Sequence, residues 1–137
     1  DAGPQAIIGR VPVGRAPRGI AVSTDGKRVY VTNSSADTVS EIDAASLHVV
    51  RTLAAGFEPS GAALGAGGVL YIANRLSNDI SVIDLAGGTE TKRLAAGRGA
   101  SYIVANGPHV YATHIYPNPG KFRAPPESEI TEIDSTQ

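Results

Sequence analysis

Apolar and polar positions alternate in short runs along this chain, and no segment keeps the 3.6-residue apolar stripe of a helix. The clearest run is Val29-Tyr30-Val31-Thr32-Asn33. It returns as Leu70-Tyr71-Ile72-Ala73-Asn74 and, altered, as Val110-Tyr111-Ala112-Thr113-His114, with the tyrosines 41 and then 40 residues apart. A repeat of that period fixes the architecture before any local reading does. Around each run the same order recurs. In the first unit a leading turn at Arg15–Arg18 precedes strand A, Gly19–Ser23. Asp25-Gly26 marks a tight hairpin. Strand B (Arg28–Thr32), a polar loop (Asn33–Asp37), strand C (Thr38–Ile42) and strand D (His48–Ala54) follow. The second unit has Gly61–Leu64, Leu70–Ala73, Asp79–Ile83 and a D strand near Thr91–Ala96. The third has Ser101–Ala105, His109–Thr113 and Ser128–Ile133, with Asn106-Gly107 as its hairpin.

Four short antiparallel strands per roughly 40 residues make the blade of a β-propeller, an all-β architecture. A blade cannot hide both faces of its own sheet, which accounts for apolar residues on both sides of strand B. The expectation is one partial propeller domain over residues 1–137, with blades at about 15–56, 57–97 and 98–137. The segment Ala6–Val13 resembles the D strands, ends like them in glycine, and is expected to be an outer strand that closes the last blade; Pro12 suits it to a sheet edge. Propellers have about four to eight blades, so three blades predict an incomplete ring. Either further blades of a longer chain complete it, or a second copy does by exchanging strands.

The residues Pro17–Asn33 followed by Thr38–Asp43 resemble the YVTN β-propeller repeat family; the second unit resembles it well and the third in part. That resemblance implies export, hence a periplasmic or extracellular location, because such repeats occur in bacterial periplasmic and archaeal surface-layer proteins. Similar propellers form the amine dehydrogenase large subunits and the haem d1 domain of nitrite reductase. The motif implies a fold strongly and an activity hardly at all.

Composition narrows the classes. The 137 residues carry a net charge of −1, which argues against a general nucleic-acid binder. Cysteine is absent, which excludes disulfides, thiolate metal sites and a cysteine nucleophile. No apolar run approaches the roughly 20 residues of a membrane-spanning helix. The opening Asp1-Ala2-Gly3-Pro4 has the look of a terminus left by cleavage.

Blade topology sorts the candidate chemistry. The D–A turns and B–C loops share one face, which should collect Arg15, Arg18, Arg75, Arg98, His114, Lys121 and Arg123, with Asp37, Glu58, Asp79 and Glu127 among them. One reading is a solvated rim; the other is a surface for an acidic partner, with Arg15, Arg18 and Arg98 nearest the channel mouth. The 11 residues Tyr116–Pro126 lengthen the third B–C loop, and Tyr116, Phe122 and Arg123 supply contact groups. His114 takes the place of Asn33 and Asn74, either as a turn residue whose ring nitrogen replaces an amide or as a haem or metal ligand. His109 and His48 do not converge on it, so no metal site is expected. Glu41 and Glu132, one blade-register position in two blades, should be far apart and partly solvated. With no catalytic constellation, the favoured reading is a non-catalytic binding or scaffold module with a protein partner and no cofactor. The alternatives are a redox-associated propeller housing haem or a quinone, or docking an electron-transfer partner, and a cell-surface structural repeat.

Overall fold

Alternating apolar positions fold here as strands, and turn-formers follow most of them. The computed structural model describes residues 5–117 and 129–134. Blade 1 holds β1 (Pro17–Val22), β2 (Arg28–Asn33), β3 (Thr38–Asp43) and β4 (His48–Ala54). Blade 2 holds β5 (Pro59–Gly65), β6 (Val69–Asn74), β7 (Asp79–Asp84) and β8 (Thr89–Ala95). Blade 3 holds β9 (Ala100–Asn106), β10 (His109–His114) and β11 (Ile130–Asp134). Each sheet is antiparallel and ordered as the chain runs, so blade 3 is three-stranded among the described residues, with β11 at its edge. The strands extend one or two residues beyond most of the spans that alternation predicts, because the ladders run on into the turn residues.

The inner strands β1, β5 and β9 lie side by side and set the order of the blades. Between blades 1 and 2, Tyr30, Val39 and Leu53 pack against Leu70, Ile72 and Ile83. Between blades 2 and 3, Tyr71, Ala73 and Ile80 pack against Ala100, Ile103, Val110 and Ala112. Each blade therefore has a forward face, carrying the repeated tyrosine, and a rear face. Blade 2 buries both. The fold is a β-propeller sector, open rather than closed.

Glycine permits the closest approach of inner strands. A Cβ on Gly19 would stand 2.5 Å from the Ser60 carbonyl oxygen, and one on Gly61 would stand 2.6 Å from that of Ser101. On the opposite side, the A–B hairpins meet the C–D turns: Ala44 N–H donates to Lys27 O (3.0 Å) and Leu85 N–H to Gly68 O (2.9 Å). Asp43 accepts from Ser46 N–H (2.8 Å) and Ala45 N–H (3.1 Å), and Arg28 pairs with it. The backbone donation from Ser46, with the cation beside it, holds the Asp43 carboxyl down at about 2.

One sequence expectation, the partial solvation of Glu41, differs from the structure. Residues 5–13 carry no ladder in this chain. They run past blade 1 with Gly9 against Leu47 and Gly14 against Asn33, the placement β4 has beside blade 2, where Arg51 meets Gly88 and Gly56 meets Asn74. The segment thus sits where an outer strand of a preceding blade would sit, without the sheet that would pair with it. The two glutamates also part company. Glu41 is not partly solvated but buried, at 7% exposure, because Arg28 (3.4 Å) and Arg51 (2.7 Å) neutralise it. Arg51 also donates across the junction to Leu85 O (2.7 Å). Glu132 stays exposed on blade 3. Tyr30, opposite Glu41, has its hydroxyl pKa raised by burial and then by that carboxylate.

Candidate partner-binding face

In every blade the turn that leads into strand A is stitched to the start of the B–C loop. Ser34 and Ser35 N–H donate to Ala16 and Arg15 carbonyls, Arg75 and Leu76 N–H to Glu58 and Phe57, and Ile115 and Tyr116 N–H to Gly99 and Arg98. These bonds place the D–A turns and B–C loops on one face and make their positions equivalent from blade to blade. Arg15, Phe57 and Arg98 share a position, as do Ser35, Leu76 and Tyr116. The position between turn and strand is left-handed each time, at Ala16 (φ 52°), Glu58 (φ 54°) and Gly99 (φ 72°). The preceding blade's B–C loop caps it: Asp37 accepts from Glu58 N–H (2.9 Å) and Asn78 from Gly99 N–H (2.7 Å).

Beneath this face lies a second repeated contact. Gly56 N–H donates to Asn74 Oδ1 (3.1 Å), and Asn74 Nδ2 donates to Asp79 (2.7 Å) and Ser81 (2.9 Å). Asn33 Nδ2 likewise donates to Thr38 (3.1 Å) and Ser40 (3.0 Å). In blade 3 the ring of His114 does this work: Nε2 accepts from Gly97 N–H (3.1 Å) and lies 3.0 Å from Thr131 Oγ1. His114 is therefore a turn-holding residue, whose Nδ1 has no hydrogen-bond partner among the described residues. His48 bonds its own turn at Ser46 O (2.6 Å) and His109 faces Glu132 (3.1 Å), so the three histidines do not converge. No cluster of metal-ligating side chains occurs among the described residues.

The arginines of the face divide into two sets. Arg75 pairs with Glu58, and that hydrogen bond raises its pKa above the usual guanidinium value. Among the described residues Arg98 reaches the Pro117 carbonyl alone, at 3.4 Å. Arg15 and Arg18 are exposed, and among the described residues neither has an ion-pair partner. Meanwhile Asp37 is committed to its cap, and Asp79 to Asn74 and Ser77. Among the described residues the charge left without an ion-pair partner on this face is positive. Lys121, Phe122, Arg123 and Glu127 lie outside the described residues.

Sequence reading missed the apolar half of this surface. Phe57 is 61% exposed and Leu76 68%, side by side through the Leu76–Phe57 backbone bond; in blade 3 Tyr116 is exposed at the position of Leu76, and Ile115 is exposed at that of Arg75. The available signal was an aromatic and a leucine in turn segments where alternation assigns no core role. Tyr102 was missed as well. It occupies the inner-strand position of Gly19 and Gly61, is 73% exposed, and borders an open hollow of about 290 Å3 with Arg18, Ser60 and Ser101. The assembled surface offers apolar contact with an arginine rim, which is the anatomy of a protein–protein interface.

No protein-family model matches the chain, and no curated protein sequence does. Solved structures do. The chain is similar to hydrazine synthase of Kuenenia stuttgartiensis (TM-score 0.78, 24% identity), covering 96% of this chain and 37% of that one. It is similar to the β-propeller domain of Myceliophteria thermophila Cps50 (Swd1) (TM-score 0.75, 16% identity), covering 98% and 40%. A functionally unknown protein of Desulfotomaculum acetoxidans DSM 771 matches at TM-score 0.66 and 23% identity, covering 78% and 38%. The chain thus spans well under half of each of these proteins. At such identities the likeness establishes the β-propeller fold and no activity.

Proposed function

We propose that this chain is a non-catalytic binding or scaffold module, a propeller sector that holds a protein partner on its D–A face. The observation that carries this reading is the coincidence, on one face, of Arg15, Arg18 and Arg98, none with an ion-pair partner among the described residues, and exposed Phe57, Leu76, Ile115 and Tyr116. A partner that fits is an acidic segment with apolar anchors: arginine charges steer and orient it, and the apolar side chains supply the buried contact. On this reading the segment from Tyr116 to Pro126 contributes to the same contact. The repeat pattern around Tyr30 and Tyr71 supports membership of the YVTN-type repeats and, with it, a periplasmic or extracellular location. The redox alternative would have to use His114 through Nδ1, since an axial-ligand role for Nε2 would cost the Gly97 N–H its acceptor.

Selection from a random peptide library on the immobilised chain tests this. The peptides recovered should place acidic residues beside aliphatic or aromatic ones. They should bind an R15E/R18E/R98E variant about tenfold more weakly, at less than about 1 kcal/mol per exposed charge, and an F57S/L76S variant weakly too. Peptides that bind both variants as tightly as the unaltered chain would remove this face from the account.

A further inference from the structure

The blade 1–blade 2 junction shows what a completed outer edge looks like. There Glu41 is buried between Arg28 and Arg51, with Tyr30 opposite it on β2. Arg51 lies on β4 directly opposite Glu41, and Leu53 lies opposite Val39. On β8, Lys92 and Leu94 stand in the same registers, opposite Val82 and Ile80. Both outer strands thus carry a base two residues before a leucine.

Blade 3 repeats the inner part of this arrangement and not the outer. His109 pairs with Asp134 as Arg28 pairs with Asp43, and Tyr111 pairs with Glu132 as Tyr30 pairs with Glu41. Glu132 lies 3.1 Å from His109 Nδ1 and accepts from the Tyr111 hydroxyl at 3.2 Å. Ile130, in the register of Val39 and Ile80, is 61% exposed, and Val104 beside this face is 63% exposed. Among the described residues β11 is the edge of its sheet.

We propose that β11 takes up an antiparallel strand that sets a lysine or arginine opposite Glu132 and an aliphatic side chain opposite Ile130. Strand addition supplies the ladder, and the cation neutralises a carboxylate that, among the described residues, a covering blade would otherwise bury with a histidine and a tyrosine hydroxyl beside it. The same register argues against the obvious alternative, residues 6–13 of a second copy. Aligned on Gly14 as Gly56 and Gly97 are aligned, that segment brings Val11 opposite Ile130 but Gly9 opposite Glu132. It fills the apolar seat and leaves the charged one empty. This inference rests on the propeller fold and its internal symmetry, and is independent of the partner-binding face.

The test uses the full 137-residue chain and three labelled peptides, with binding followed by fluorescence anisotropy. One peptide copies residues 88–97, the second copies it with Lys92→Glu, and the third copies residues 5–14. The first should bind, and the other two should bind about tenfold more weakly. In an E132K chain the order of the first two should invert, and in an E132Q chain their difference should vanish. Exposure of Glu132 lets both variants keep the fold, checked by their melting. Equal binding of the first two peptides to the unaltered chain, failure of the order to invert, binding of the 5–14 peptide as tight as the first, or no binding at all would each overturn the proposal.

Discussion

Asn33, Asn74 and His114 occupy one seat in three blades, and in blades 2 and 3 the seat needs an acceptor for a glycine N–H, with a donor toward the neighbouring strand supplied by both asparagines. Asn74 supplies both, through Oδ1 and Nδ2. His114 supplies the acceptor through Nε2 and leaves Nδ1 without a partner among the described residues. H114N should therefore fold as well as the unaltered chain or gain up to about 1 kcal/mol, while H114A should lose about 1–2 kcal/mol through the orphaned Gly97 N–H. Urea denaturation of the three proteins checks this; an H114N far less stable than H114A would assign the ring another task. The repeat made this seat legible, since only Asn33 and Asn74 told what His114 replaces. The glycine was not legible as a partner, because Gly97 lies 17 residues earlier and its role is a matter of space: any Cβ there collides with the ring.

Among the elements, hairpins were the easiest to read. Asp25-Gly26 and Asn106-Gly107 place glycine at positive φ (70° and 58°), as tight turns demand. Burial of charge was harder, because strand alternation places Glu41 on a face without telling what covers it. Arg51 covers it, ten residues away on β4, and holds blade 2 through the Leu85 carbonyl. Removing that guanidinium with R51M leaves Glu41 to Arg28 alone and strips the carbonyl of its donor. Stability should fall by about 1–3 kcal/mol, and E41Q in the same chain should recover part of the loss in a double-mutant cycle. An R51M chain as stable as its parent would show that the apolar cluster around Tyr30 and Leu70 holds the junction unaided.

For the whole molecule, period and strand order were legible because the run containing Tyr30 recurs with Tyr71 and Tyr111. The candidate surface was half legible: arginines declare themselves in turns, whereas Phe57 and Leu76 become conspicuous only when the loops are stitched together. Blade 2 is covered on both faces, but blade 1 leaves Ile20 (65% exposed) and Val22 open on its rear, and blade 3 leaves Tyr102 and Val104 open on its front. Unpaired edges and apolar faces of this kind drive association. If further protein completes this sector, light scattering of the 137-residue chain across a concentration series shows it most directly. A mass that climbs above 14.0 kDa with concentration is the predicted result. A fixed 14.0 kDa species that melts in one cooperative transition would contradict it.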